Sequence, residues 1–134
     1  MSGVLVDANV VLDVYEDDPR WGEWSTRTLR ETARSNRLFV NPVIYAEVSV
    51  GFERIEELED ALKLAGFSML PIPKEALFLA AKAYRRYRRE QGTKSAPLPD
   101  FFIGAHAAVE GMTLLTRDPR RIRTHFPTVK LVTP

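Results

Sequence analysis

The sequence predicts an α/β protein: a parallel sheet covered by helices on both faces. Three observations carry the prediction. Short apolar runs alternate with longer segments of helical character along the whole chain. The runs are apolar enough to be buried on both faces, as parallel strands are. Capping residues, prolines and glycines punctuate the helical segments between them.

Gly3 to Val6 reads as a buried strand, and Asp7-Ala8-Asn9 then opens a short helix, Val10 to Tyr15. Asp17-Asp18-Pro19 is a helix-start signal, with Asp18 as N-cap and Pro19 in the first turn of a helix from about Arg20 to Ser35. Leu38-Phe39-Val40 is a second strand. Asn41-Pro42 repeats the cap-then-proline signal and starts a helix through about Val50. Glu53 to Ala65 is helical and stops at Gly66, a natural residue for the left-handed position after a helix. Phe67 to Leu70 is a third strand, closed by Pro71 and Pro73. Lys74 to Gln91 is a long helix with Leu77, Ala80, Ala81, Tyr84 and Tyr87 on one stripe. Gly92 to Pro99 is a loop, and Asp100 to Glu110 is a helix ended by Gly111. Thr113 to Thr116 is a fourth strand and Val129 to Val132 an edge strand. With no repeat, linker or low-complexity tract, residues 1–134 are expected to form one domain.

Composition narrows the function. No apolar run approaches the roughly 20 residues that span a bilayer. The start, Met1-Ser2-Gly3, lacks the basic and apolar regions of a secretory signal. There are no cysteines, which excludes disulfides and thiolate metal sites and fits a cytoplasmic protein. Nineteen basic residues oppose eighteen acidic ones. If four acids are consumed by metal, the rest of the surface carries an excess of five positive charges, which suits a polyanionic partner.

Four carboxylates stand at structural junctions: Asp7, Glu47, Asp100 and Asp118. Asp7 and Asp118 follow apolar runs, just past strand ends, where open α/β sheets place their sites. Asp7 is equally suited to cap the next helix. Asn9 can orient Asp7, donate to a phosphate or close a local turn. Glu47 lies on the edge of the stripe formed by Ile44 and Val48, a costly place for a charge unless it is paired or metal-bound. Asp100 suits the first turn of its helix on dipole grounds alone. Gly104, Ala105, Ala107 and Ala108 on that helix allow a close approach to the sheet, drawing Asp100 toward the strand ends. Asp118 precedes Pro119 and reads equally as a turn or cap. Thr116 ends its strand and can offer a hydroxyl to metal-bound water or phosphate. An all-oxygen cage of this kind suits Mg²⁺ or Mn²⁺ rather than zinc.

Two basic clusters are candidates for RNA contacts. Arg117, Arg120, Arg121 and Arg123 follow the fourth strand. Arg85, Arg86, Arg88 and Arg89 end the long helix beside Tyr84 and Tyr87, though a solvated face explains these slightly better, and the cluster after the fourth strand is the stronger candidate. His106, among alanines, reads as a packing or surface residue. His125 contacts a phosphate or nothing. Trp21 and Trp24 read as packing residues on a core or a partner surface.

The segments Val-Asp-Ala-Asn-Val, Asn-Pro-Val-Ile-Tyr-Ala-Glu, Leu-Pro-Asp-Phe-Phe-Ile-Gly-Ala-His-Ala and Leu-Leu-Thr-Arg-Asp-Pro, taken in order, resemble a PIN-domain nuclease. More narrowly, they are similar to VapC toxins of bacterial toxin–antitoxin pairs. The resemblance implies a three-layer α/β/α fold with a parallel sheet in the order 3-2-1-4-5, and a metal-dependent endoribonuclease. It carries the acidic roles onto Asp7, Glu47, Asp100 and Asp118 and the supporting polar roles onto Asn9 and Thr116. It implies a homodimer, a VapB-like antitoxin partner, and tRNA or ribosomal RNA as substrate. Position 8 departs from the pattern, with Ala8 where the family often has a hydroxyl residue. A receiver-like Mg²⁺-binding signalling domain and a catalytically silent RNA-binding module are the rival expectations. A receiver wants paired acids after the first strand and an aspartate after the third; here Asp7 stands alone and the third strand ends in Pro71-Ile72-Pro73.

Overall fold

A computed structural model describes residues 3–91 and 98–134. The elements run β1 (Gly3–Val6), α1 (Ala8–Tyr15), α2 (Gly22–Ala33), β2 (Arg37–Val40), α3 (Pro42–Ser49), α4 (Ile55–Leu64), β3 (Phe67–Met69), α5 (Lys74–Gln91), α6 (Leu98–Glu110), β4 (Thr113–Leu115), α7 (Arg120–His125) and β5 (Leu131–Val132). The five strands form one sheet in the order β3-β2-β1-β4-β5, and every pairing is parallel. The class and strand order are those expected. A flavodoxin-like receiver sheet runs 2-1-3-4-5 instead, so this topology separates the two readings.

The strands are short, two to four residues each. Leu5, Val6, Val40, Leu114 and Leu115 are fully buried, as are Val10 and Val11 of α1, Ile44 and Val48 of α3, and Ile103 of α6. Helices on both faces account for strands with no polar side. The first three strands step outward from β1 in one direction, and the chain then crosses to place β4 on β1's other side. The reversal lies between β1 and β4, the position where such sheets open a crevice.

Several local expectations are corrected. The helix expected from Arg20 begins at Gly22. Asp18 still caps, but it caps the turn before the helix, accepting from Arg20 N at 3.0 Å and Trp21 N at 2.7 Å. The buried stripe of α5 is Ala76, Ala80 and Ala83, with Tyr84 and Tyr87 half-buried beside it. Leu77 is 42% exposed and Ala81 is exposed. Alanines win the inner face because α5 packs against α6, where small side chains let two backbones approach. Of the small residues on α6, Ala105 and Ala107 are buried, while Gly104 makes its close approach to α7 and the residue after it: a Cβ there would meet Phe126 and Ile122. The short helix α7 was not expected. Of the expected loop Gly92 to Pro99, the first six residues lie outside the described residues, while Leu98 and Pro99 form the first turn of α6. Proline is accommodated there because its missing N–H has no partner to lose.

Candidate functional site

Asp7 is held at the tip of β1 from several directions. Its amide donates to Leu115 O at 2.9 Å, which carries the β1–β4 pairing one residue past the strand. Its carboxylate caps α1: Oδ1 accepts from Ala8 N at 2.7 Å. Oδ2 accepts the Thr116 hydroxyl at 2.8 Å and a long contact from Asn9 Nδ2 at 3.4 Å. Asn9 also reaches Thr116 Oγ1 at 3.3 Å. Burial pushes the Asp7 carboxyl up to about 6; the Thr116 bond opposes that, and the charges of Asp100 and Asp118 add to it. Cap and strand-tip carboxylate are thus the same residue, and Asn9 reaches across to the loop after β4, where Arg117 N donates to its Oδ1 at 3.4 Å.

Glu47 arrives on α3. Asn41 starts that helix by accepting Ile44 N on its side-chain oxygen at 2.8 Å, with Pro42 in the first turn. Glu47 then falls one turn further on, half-buried beside the core residues Ile44 and Val48. Its carboxyl is pushed up to about 7, first by burial and then by Asp7 and Asp100. Asp100 is in the first turn of α6. Its carboxyl is raised by burial, against the lowering influence of Arg121, whose Nη1 donates to Oδ2 at 3.1 Å. Asp118 is the most open of the four, with 57% of its side chain exposed and Arg120 Nε 3.8 Å away. Its amide donates to Thr116 Oγ1 at 3.1 Å, so one hydroxyl links the backbone of Asp118 to the carboxylate of Asp7.

Asp7, Asn9, Glu47 and Asp100 line one cleft of about 430 Å³, with Glu16 and Asp18 also on its wall. Asp118 does not line that cleft. It opens onto an adjoining depression of about 290 Å³ that shares Asp100. The structure therefore brings three of the four acids together and sets the fourth beside them.

The donor set fits a hard divalent cation in kind: all oxygen, carboxylate-rich, with a cation beside Asp100 and Asp118 but none bonded to Asp7 or Glu47 among the described residues. As the side chains stand, no three Asp, Glu or His residues among the described residues are gathered closely enough to hold one ion together.

The basic residues divide by what they touch. Arg117 is turned onto Asp13, Nε to Oδ2 at 2.8 Å and Nη2 to Oδ1 at 3.1 Å, and lies over the Trp21 ring. Arg121 serves Asp100. Arg120 and Arg123 are exposed on α7, and Arg85, Arg86, Arg88 and Arg89 on α5. Trp21 and Trp24 pack edge to face. His106 is buried, with Nδ1 3.0 Å from Asn41 Nδ2, and so packs rather than titrates at the surface. His125 lies against Tyr87 and Phe101.

Asp13 was not anticipated. It is buried, bonded to Ser25 Oγ at 2.7 Å as well as to Arg117. The signal was present: an aspartate within Val-Val-Leu-Asp-Val, on a helix otherwise apolar, requires a cation. What spacing did not reveal was that the cation would come from the residue after Thr116.

The protein family described as PIN domain matches residues 4–127. No curated protein sequence matches the chain. Among solved structures, VapBC2 from Rickettsia felis bound to a DNA fragment from its promoter superposes with a TM-score of 0.73 at 18% identity, over 98% of both chains. VapBC-1 from nontypeable Haemophilus influenzae gives 0.71 at 16% identity, over 98% of this chain and 97% of that one. FitAcB from Neisseria gonorrhoeae gives 0.69 at 22%, over 96% and 95%. At these identities the likeness is one of fold.

Proposed function

From the premise that this chain belongs to the PIN-domain family, we propose that it is a Mg²⁺- or Mn²⁺-dependent endoribonuclease of the VapC type, restrained by a VapB-like antitoxin. The observation that carries the reading is the set of three half-buried carboxylates, Asp7, Glu47 and Asp100, around one cleft at the β1–β4 reversal, two of them pushed up to about 6 and 7. Folding alone does not require three acids to share a cleft at that cost.

Asp7, Glu47, Asp100 and the adjacent Asp118 are the residues that would hold the metal. A divalent cation supplies positive charge that offsets these acids, lowers the pKa of water and polarises a phosphodiester. The chain's own contribution is placement. Thr116 and Asn9 fix the Asp7 carboxylate, and the Thr116 hydroxyl also fixes the backbone at Asp118. Arg120 and Arg123, exposed on α7 beside Asp118, are suited to the flanking phosphates of an RNA strand. Arg117 is committed to Asp13, so its part in the reading becomes support of the loop between Thr116 and Asp118.

The wider reading is a cytoplasmic homodimer, one domain per chain, acting on tRNA or ribosomal RNA. It draws on structural neighbours that are described as VapBC or toxin–antitoxin complexes. No helix among the described residues is long and apolar enough to cross a membrane. Incubation of the purified protein with end-labelled tRNA and ribosomal RNA, with and without Mn²⁺, tests the activity. Metal-dependent cleavage that disappears in Asp7→Asn and Asp100→Asn is expected; cleavage that persists in either variant overturns the assignment.

A further inference from the structure

The depression beside the acidic cleft has walls that carboxylate chemistry does not need. Tyr87 of α5, Arg121 and His125 of α7, and the shared Asp100 line it, in a volume of about 290 Å³. Tyr87 and His125 meet edge to face, ring centroids 5.5 Å apart and planes at 81°. Both rest on Phe101, at 5.5 Å and 5.0 Å. Phe101 is itself buried, so the two half-buried rings stand on a fixed floor. The Arg121 guanidinium lies 6.0 Å from the Tyr87 ring while bonded to Asp100. Burial, and after it the charge of Arg86, lowers the pKa of His125, which disfavours the charged imidazolium that would hold a phosphate.

Aromatic rings with an arginine, opening beside a proposed phosphate-cleaving cleft, match the chemistry of base stacking on single strands. A bare phosphate is a poor occupant: Asp100 and Asp118 line the same space, and the two cations beside them, Arg120 and Arg121, each lie against one of those acids. A planar uncharged base faces no such repulsion. The geometry points to a nucleobase subsite: an unpaired base of single-stranded RNA, next to the phosphate engaged at Asp100, seated against Tyr87 and His125 with Arg121 at its edge. This rests on the ribonuclease reading and adds to it that the substrate is unpaired at this nucleotide.

The test uses Asp7→Asn protein, so that RNA binds without being cut, and single-stranded oligonucleotides carrying 2-aminopurine at successive positions. Quenching confined to one or two positions is expected, lost when Tyr87→Leu or His125→Leu is added. Affinity measured by anisotropy should fall about tenfold with either addition. Leucine keeps apolar contact with Phe101, and circular dichroism melting checks that each variant folds. If Tyr87→Leu does not fold, His125→Leu carries the test. Binding with no quenched position, quenching that survives both variants, or no binding of any single strand overturns the subsite. Cleavage by the unmodified protein is scored separately. Cleavage without quenching removes the subsite alone, and quenching without cleavage removes the nuclease reading alone.

Discussion

Arg117 closes a two-pronged pair on Asp13 across the site's outer wall, and the two partners are unequally buried: 3% of the Asp13 side chain is exposed against 30% of Arg117. The pair joins α1 to the loop between Thr116 and Asp118, and Ser25 ties the same carboxylate to α2. The asymmetry predicts which partner matters more. Arg117→Met leaves a buried carboxylate with only the Ser25 hydroxyl and should cost about 3 kcal/mol. Asp13→Asn leaves an arginine that water can reach and should cost about 1–2 kcal/mol. Urea unfolding of both variants measures the difference; equal costs would show that the burial of Asp13 does not control the pair.

That pair also marks where sequence reading stopped. Strand order, the Asn41-Pro42 cap and the approach of Asp7 to the fourth strand were legible because each depends on local chemistry or on the family pattern. Leu77 lies off the inner stripe of α5 and Ala76 on it, because the constraint there is the closeness of α6 rather than the apolarity of each side chain. Asp13 and Arg117 are 104 positions apart, and no local rule joins them. The division of the acids into a cleft of three and a neighbour, Asp118, likewise depends on where the loop after β4 turns.

The Thr116 hydroxyl is the contact that most directly restrains the Asp7 carboxyl from rising further. Thr116→Val keeps the shape and removes the donor. The Asp7 carboxyl should then titrate above about 6, and the fold should lose about 1 kcal/mol. Carbon-detected NMR titration of the side-chain carboxyl reads the first effect and thermal melting the second. An unchanged Asp7 titration would mean that the hydroxyl does not stabilise the charge.

Asp7 and Glu47 give the metal-free protein an unusual pH dependence. Both carboxyls sit above their ordinary values of 3.8 and 4.5, at about 6 and about 7 in the folded state. Well below the unfolded value of 3.8 both states hold the protons and nothing is lost. As pH rises from there through the folded value of about 7, the folded chain binds more protons than the unfolded chain, so stability from these groups falls. About one unit above the folded value of Glu47 the loss is complete and constant. Melting in EDTA should therefore show a decline across that window, flattened in Asp7→Asn/Glu47→Gln. Mg²⁺ or Mn²⁺ at pH 7.5 should raise the melting temperature of the native chain and not of the double variant. A rise of equal size in both would place the ion elsewhere.

Gly104 tests whether α6 and α7 must touch. A Cβ there would overlap Phe126 Cδ2 and come within 2.8 Å of Phe126 Cε2 and 2.9 Å of Ile122 Cδ1. Phe126 is only 5% exposed and Ile122 4%, and Phe126 also packs against Phe101 at 6.2 Å, so neither side chain can swing aside into water. Relief must come from moving α7 away from α6. That movement would stretch the contact between Arg121 on α7 and Asp100 on α6, on which the lining of the adjoining depression depends. Gly104→Ala should cost about 1–3 kcal/mol, the range for overpacking a close contact, even though alanine is the better helix former. It should also weaken RNA binding more than the equally small change Ala81→Ser on the exposed face of α5. Denaturant melts and anisotropy on the same two variants provide the comparison. A Gly104→Ala variant as stable and as tightly binding as the native chain would show that α7 has slack to give.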